Sequence, residues 1–219
     1  MSKVVVFGTG SLAEVVYYYL THDSPHEVVA FTAHQDHLDK AEFHGLRAVA
    51  YEDLQSSHPP DSFSMFVAIG YTGVNQTRAA IYNDAKQKGY QLISYVSPRC
   101  TQIGEIPIGD NCFIFEDNTL QPFVSIGNNV IMWSGNHIGH HSTIGNHCFI
   151  TSHVVVSGFC KVNDYSFLGI NASLRDNITI GESCVIGAGC LIMKSTKDKE
   201  VYLGERTKPF AKTSDQIKL

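Results

Sequence analysis

The chain has 219 residues, 43% hydrophobic and 17% charged, with 16 Lys and Arg against 21 Asp and Glu for a formal charge of −5. That length holds one large domain or two small ones, and an acidic balance without a Lys/Arg cluster argues against a nucleic-acid-binding protein. No apolar run approaches the ~18 residues that span a membrane, and the opening MSKVVVFGTG has no secretory pattern, so a soluble cytoplasmic protein is expected.

Residues 1–98 alternate short β-rich runs with helical patterns. Lys3–Phe7 (KVVVF) reads as a buried parallel strand, Ser11–Leu20 as a helix, and Glu27–Thr32 (EVVAFT) as a second strand. Ser64–Ile69 (SMFVAI) reads as a third strand, Asn75–Lys88 as a helix, and Tyr90–Val96 (YQLISYV) as the last strand before Ser97-Pro98. Strands alternating with helices imply a parallel sheet covered on both faces. Between the first strand and helix, Gly8-Thr-Gly-Ser-Leu-Ala13 places free backbone N–H groups of Gly8, Gly10 and Ser11 at a helix N-terminus, where anions bind. A dinucleotide site wants an acidic residue ending the second strand ~20 residues on. Here Phe31-Thr32-Ala33-His34 stands there, which weighs against hydride chemistry.

After Pro98 a six-residue period takes over. From Ile108, every sixth residue through Ile192 is large and aliphatic, fifteen positions in a row. A strand alternates faces, so each of these positions and the residue two before it point into one narrow core. Gly and Asn following them turn corners. Three hexads make an eighteen-residue rung, and rungs stack ~4.8 Å apart. All six cysteines (Cys100, Cys112, Cys148, Cys160, Cys184 and Cys190) fall in the phase two before the core positions. Cys112, Cys148 and Cys184 share a face two rungs apart, ~9.5 Å by strand spacing, beyond the ~7 Å reach of a disulfide. They read as small inward fillers. Domains are expected at 1–98 and 99–194, with a C-terminal tail over 195–219 packing near the cofactor.

An Ile-Gly hexapeptide array behind a small Rossmann-like domain resembles the sialic acid O-acetyltransferase-like family, which includes nucleotide-aminosugar N-acetyltransferases. The resemblance implies an α/β N-terminal Rossmann-like domain followed by an all-β left-handed parallel β-helix. It also implies a homotrimer that uses acetyl-CoA to acetylate a nucleotide-linked amino sugar, with no metal. A sugar O-acetyltransferase and a non-catalytic sugar-binding scaffold are the rival readings.

Acetyl transfer needs a base, an oxyanion donor and a held thioester. The histidine-rich stretch GNHIGHHSTIG, aligned on Ile144-Gly145, resembles the family's catalytic segment and places its histidine at His140. The carboxylate that follows that histidine in the family is here His141, and the family's later acetyl-CoA-contacting histidine is Phe149. One rung beyond His140, Gly158 matches the family's glycine, whose N–H would bond the thioester carbonyl or oxyanion. The loop residues Gly8, Gly10 and Ser11, with Gly70 and Arg78, match the nucleotide-sugar segments, although the family's loop histidine is here Leu12. Gly158, Gly169, Gly187, Ala188, Gly189 and Lys208 match the segments lining coenzyme A. His141, His147 and His153, six apart, belong to three different faces and do not converge on one metal ion within a monomer, which leaves only a metal shared across a trimer axis as the rival reading.

Overall fold

The computed structural model describes residues 2–217. The N-terminal region runs β1 (Lys3–Phe7), α1 (Ser11–His22), β2 (Glu27–Ala33), β3 (Glu42–Phe43), β4 (Leu46–Ala50), α2 (Leu54–Ser57), β5 (Ser64–Val67) and α3 (Gln76–Gln87). The sheet order is β3-β4-β2-β1-β5, parallel except where β3 meets β4. The VVV run of β1 is fully buried because helices cover both sheet faces. Strands β3 and β4 were not anticipated from the sequence. His44 and Gly45, at φ 50° and 74°, close them into a two-residue hairpin.

The expected last strand of this sheet, Tyr90–Val96, is divided between the two regions. Leu92 bridges Met65 beside β5, whereas Tyr95–Val96 pairs with Phe113–Ile114 of the repeat region. Val96 lies two hexads before Ile108, in the same phase, and packs against the same core. The coil therefore begins ahead of Pro98. It also continues past 194, because Val201–Tyr202 pairs with Val185–Ile186.

From Tyr95 onward two-residue strands build three parallel sheets of four, seven and six strands. Registers such as Ile138 opposite Val156 and Ile131 opposite Phe149 show the eighteen-residue rung directly. All fifteen aliphatic repeat positions join one core, with only Ile108 partly exposed, and all six cysteines are buried, free thiols. Burial pushes the Cys112 and Cys148 thiols up to about 12, so they stay protonated as packing groups.

The corners explain the coil. Every sixth residue from Asn111 to Ser183, three after each core position, takes a left-handed conformation, with Gly135 in the one glycine position. A non-glycine residue there costs ~1–2 kcal/mol, against ~1.5–3 kcal/mol for burying each Val, Leu or Ile, so the core sets the corner. Asn or Asp behind the corner glycine locks adjacent rungs together. Asp110, Asn128 and Asn146 each donate a backbone N–H to the side chain one rung on, at 3.0, 2.9 and 2.8 Å. The product is a left-handed parallel β-helix.

The N-terminal domain covers one face, the seven-stranded sheet. Phe113, Phe115, Ile131 and Phe149 pack in one cluster with Val4, Val6, Ala13, Val16 and Leu20. Tyr19 of α1 donates to Glu116 (2.8 Å), and Tyr82 and Lys86 of α3 both donate to Asp110. Asn111 exchanges two hydrogen bonds with the backbone of Val67 (2.8 and 3.3 Å).

Candidate active site

His140 stands two residues after Ile138, on the edge between the six-stranded sheet (His137–Ile138) and the four-stranded one (Thr143–Ile144). Its side chain is exposed, and its backbone N–H donates to Gln121 Oε1 at 2.9 Å. The imidazole lies across the neighbouring rung over Gly158. A Cβ on Gly158 would come within 2.8 Å of both Cε1 and Nε2 of His140, closer than real Cβ atoms approach. The missing side chain is thus the seat of the ring. In the locking ladder a residue at position 158 would donate its N–H to position 176. Asp176 instead lies 3.6 Å from Arg175 Nε, and the Gly158 N–H donates to no acceptor among the described residues. An imidazole and an unspent N–H therefore sit on adjacent rungs, groups of the two kinds that acyl transfer requires.

The ring is walled by a corner column of aromatic side chains, Phe123, His141 and Phe159, at φ 66°, 59° and 58°. His141 stacks on Phe159 (centroids 4.7 Å, 13°) and tilts against Phe123 (4.5 Å), while His140 meets Phe159 edge-on at 5.1 Å.

The other expected site residues divide between several places. Gly8, at φ 125°, lies where β1 and β5 converge. A Cβ there would reach 2.8 Å from the Ala68 carbonyl, so the loop requires glycine. Gly10 caps α1, Ser11 is exposed at its first turn, and a cavity of about 210 Å³ opens beside Thr9, lined by Leu38, Asp39, Lys40, Glu42 and Phe43. None of these lining residues was singled out in the sequence, because the segment after β2 carries no recognisable motif. A carboxylate from the turn after β4 does lie beside the end of β2. Glu52 accepts from His34 Nδ1 at 2.7 Å and from the Gln35 N–H at 3.2 Å.

Gly169 and Gly187 sit at close backbone approaches, 2.6 Å from Ala188 N and 2.8 Å from the Tyr202 carbonyl for an added Cβ. Ala188 and Gly189 are exposed, and Gly189 borders an open cleft with Leu191, Tyr202 and Gly204. Lys208 lies in a tail, residues 205–217, that is exposed throughout. Of the tail expected at 195–219, Val201–Tyr202 pairs with Val185–Ile186 and Leu203–Gly204 lies against Gly187–Gly189, whereas residues 205–217 reach no core.

Arg78 overturns its expected place. It is 0% exposed, and its guanidinium donates to the carbonyls of Gly70 (2.8 Å), Asn129 (3.3 Å), His147 (2.8 Å) and Cys148 (3.1 Å) and to Asn75 Oδ1 (3.0 Å). Burial lowers its pKa to about 10, which still leaves a cation at neutrality. Facing inward with Nη1 and Nη2 bonded and Nε buried without an acceptor among the described residues, it joins the two domains, and the Gly70 carbonyl is one of its partners.

His147, 8% exposed, lies in the same seam. It accepts at Nδ1 from Asn129 Nδ2 (2.8 Å) and stacks on Tyr165 (4.7 Å). Burial, then the Arg78 charge, hold its imidazole below the ordinary 6.5. The unfolded chain takes up this proton near 6.5 and the folded chain only at lower pH, so stability is lost as pH falls through 6.5. His147→Asn, an amide already accommodated at the equivalent corner Asn129, is expected to give a shallower acid-side loss of urea midpoint than the parent. An unchanged pH dependence of the midpoint would exclude His147 as a contributor.

The profile of the bacterial transferase hexapeptide family (six repeats) matches residues 159–194. Among solved structures, the acetyltransferase domain of PglB from Neisseria gonorrhoeae superposes with a TM-score of 0.82 at 22% identity, covering 96% of this chain and 100% of that one. PerB from Caulobacter crescentus, in complex with CoA and GDP-perosamine, gives 0.80 at 22% identity over 93% and 95%. The fold is shared from end to end. WeeI from Acinetobacter baumannii gives 0.61 at 19% identity over 93% and 97%. No curated protein matches the sequence. Among the described residues no group of three His, Cys, Asp or Glu side chains is placed to hold a metal ion, and no helix is long and apolar enough to cross a membrane.

Proposed function

We propose that this protein is an acetyl-CoA-dependent N-acetyltransferase acting on the amino group of a nucleotide-linked amino sugar. The observation that carries the reading is the seating of His140 over Gly158 beside an uncommitted N–H, on a fold shared over nearly the whole chain with an acetyltransferase domain and with a protein holding CoA and GDP-perosamine. His140 Nε2 takes the proton from the attacking amine as its nitrogen bonds to the acetyl carbonyl. The Gly158 N–H supports the oxyanion, and the sulfur leaves with the proton returned to it. The loop Gly8–Ser11 and the cavity beside it hold the nucleotide. Gly169, Gly187, Ala188 and Gly189 line the coenzyme arm, and Lys208 meets its phosphates.

A homotrimer is part of this reading. The N-terminal domain packs on the seven-stranded face, whereas His140 stands on the opposite edge between the other two sheets. A sugar bound at the Gly8 loop of one protomer is served by the His140 of another, which requires an oligomer, and a homotrimer of three-sided columns meets that need.

The test is direct. The protein is incubated with acetyl-CoA and a panel of nucleotide-linked amino sugars, CoA release is followed with a thiol reagent, and products are weighed before and after mild alkali. An alkali-stable mass gain of one acetyl group is expected. An alkali-labile ester would move the reaction to a sugar hydroxyl, and absence of acetyl-CoA binding by calorimetry would remove the enzyme reading.

A further inference from the structure

A hydrogen-bond partner for His140 stands at the next residue. His140 Nδ1 and His141 Nδ1 lie 3.1 Å apart with the two rings nearly perpendicular (89°). One proton fits on that axis. If it sits on His140, the lone pair of His141 accepts it and His140 Nε2, on the far side of the ring over Gly158, is left as a free lone pair. If it sits on His141, His140 carries its proton at Nε2 and has no basic nitrogen facing the rung where acetyl transfer is placed. We propose that His141 is a positioning residue that holds His140 in the Nδ1–H form by accepting this hydrogen bond. This inference rests on the acetyl-transfer reading of the same site.

The surroundings fit a built acceptor. His141 is clamped between Phe123 and Phe159, and its backbone N–H is tied to the Pro122 carbonyl at 3.2 Å, so its ring plane is set by neighbours on both sides. Three successive aromatic residues occupy this left-handed corner where Asn177 follows on the next rung. Strained corners carrying bulky rings beside a candidate base suit a site where orientation matters. The groups packed against the pair, Gln121, Pro122, Phe123, Gly158 and Phe159, do not titrate. The nearest charges in the same columns are Arg175 and Asp176, paired with each other two rungs beyond His140.

During the reaction His140 Nε2 gains the amine proton and the ring becomes a cation. Its Nδ1–H still donates to the neutral His141, which stabilises the cation by a charge-assisted bond. The same proton then leaves Nε2 for the departing sulfur, so the shared Nδ1 proton never moves. A neutral acceptor supports that cation less than a carboxylate would.

Two substitutions separate hydrogen bonding from packing. Phe already occupies this corner at 123 and 159, so His141→Phe keeps the stack and removes the acceptor. His141→Glu restores an acceptor, with charge, and removes the stack. We expect H141F to lower kcat by about 10–100-fold and H141E to recover most of that loss, with the acid limb of its kcat/KM profile moved to higher pH because the carboxylate favours protonated His140. A purely structural role predicts the reverse order, with H141F near wild type and H141E poorest, and that order overturns the proposal. Long-range proton–nitrogen NMR supplies a readout independent of turnover: His140 should be the Nδ1–H tautomer in wild type and lose that preference in H141F. An Nε2–H His140 in wild type overturns the proposal even if the enzyme is active. Failure of the enzyme reading shows differently, as absence of CoA release by wild type with every sugar tested.

Discussion

Gly158→Ala is expected to lower acetyl transfer by about 100-fold while leaving the fold intact. The added methyl would lie 2.8 Å from two atoms of the His140 ring, and the ring is the free end of an exposed side chain, so it swings away at little cost to stability. A displacement near 1 Å at a reacting group costs on the order of 10²-fold in rate. His140→Ala removes the base outright and is expected to cost about 10²–10⁴-fold. Because both changes disable one unit, the double variant should be no worse than H140A alone. Thermal unfolding of G158A should stay close to that of wild type. If G158A turns over like wild type, the ring does not act from its position over Gly158. If the double variant falls well below H140A, the glycine contributes separately, and its N–H is then the contribution to pursue.

The parts of this site that sequence exposes are those that obey arithmetic. Aliphatic residues every sixth place forecast the column, and an eighteen-residue step from His140 reaches Gly158 without any knowledge of side-chain direction; the observed register and ring placement agree. What arithmetic does not carry is the path of the chain between repeats. Val96 belongs to the repeat phase, but Tyr90–Val96 is also a good sheet strand, and only the pairing with Phe113–Ile114 assigns it to the coil. His141 as a neighbour of His140 suggests lost charge, whereas its left-handed backbone turns its ring back to within 3.1 Å of its partner. No acid ends β2 in the chain, and Glu52 lies beside that end in space, because β4 runs parallel beside β2. Local residue type could not show either.

Arg78 was the least legible residue, and it carries the second large effect. In QTRAAIYNDAKQ it looks like a solvated helix charge, yet its partners Asn129, His147 and Cys148 lie 51 to 70 residues away on a corner of the coil. Two opposing terms decide what its removal does. Burying a cation without a carboxylate is costly, so an apolar replacement recovers desolvation free energy. Against that, the carbonyls of Gly70 and His147 have no other donor among the described residues, and each buried carbonyl left unpaired costs ~1–3 kcal/mol. The Cys148 carbonyl keeps the Ile131 N–H. The guanidinium also lies over the Phe149 ring at 5.5 Å, which favours the cation further. With several acceptors orphaned at once, the unpaired carbonyls outweigh the recovered desolvation, and Arg78→Met is expected to destabilise by ~3–5 kcal/mol, read as a lowered urea midpoint. Arg78→Lys should restore only part of this, since one ammonium cannot span acceptors that a planar fork reaches on both sides. The loss should also reach the site, because the Gly70 carbonyl anchors the loop that follows β5, next to the Gly8 turn where Ala68 meets Phe7. A midpoint unchanged in R78M would show that the seam between the domains is held by its apolar contacts alone, with Arg78 a passenger in it.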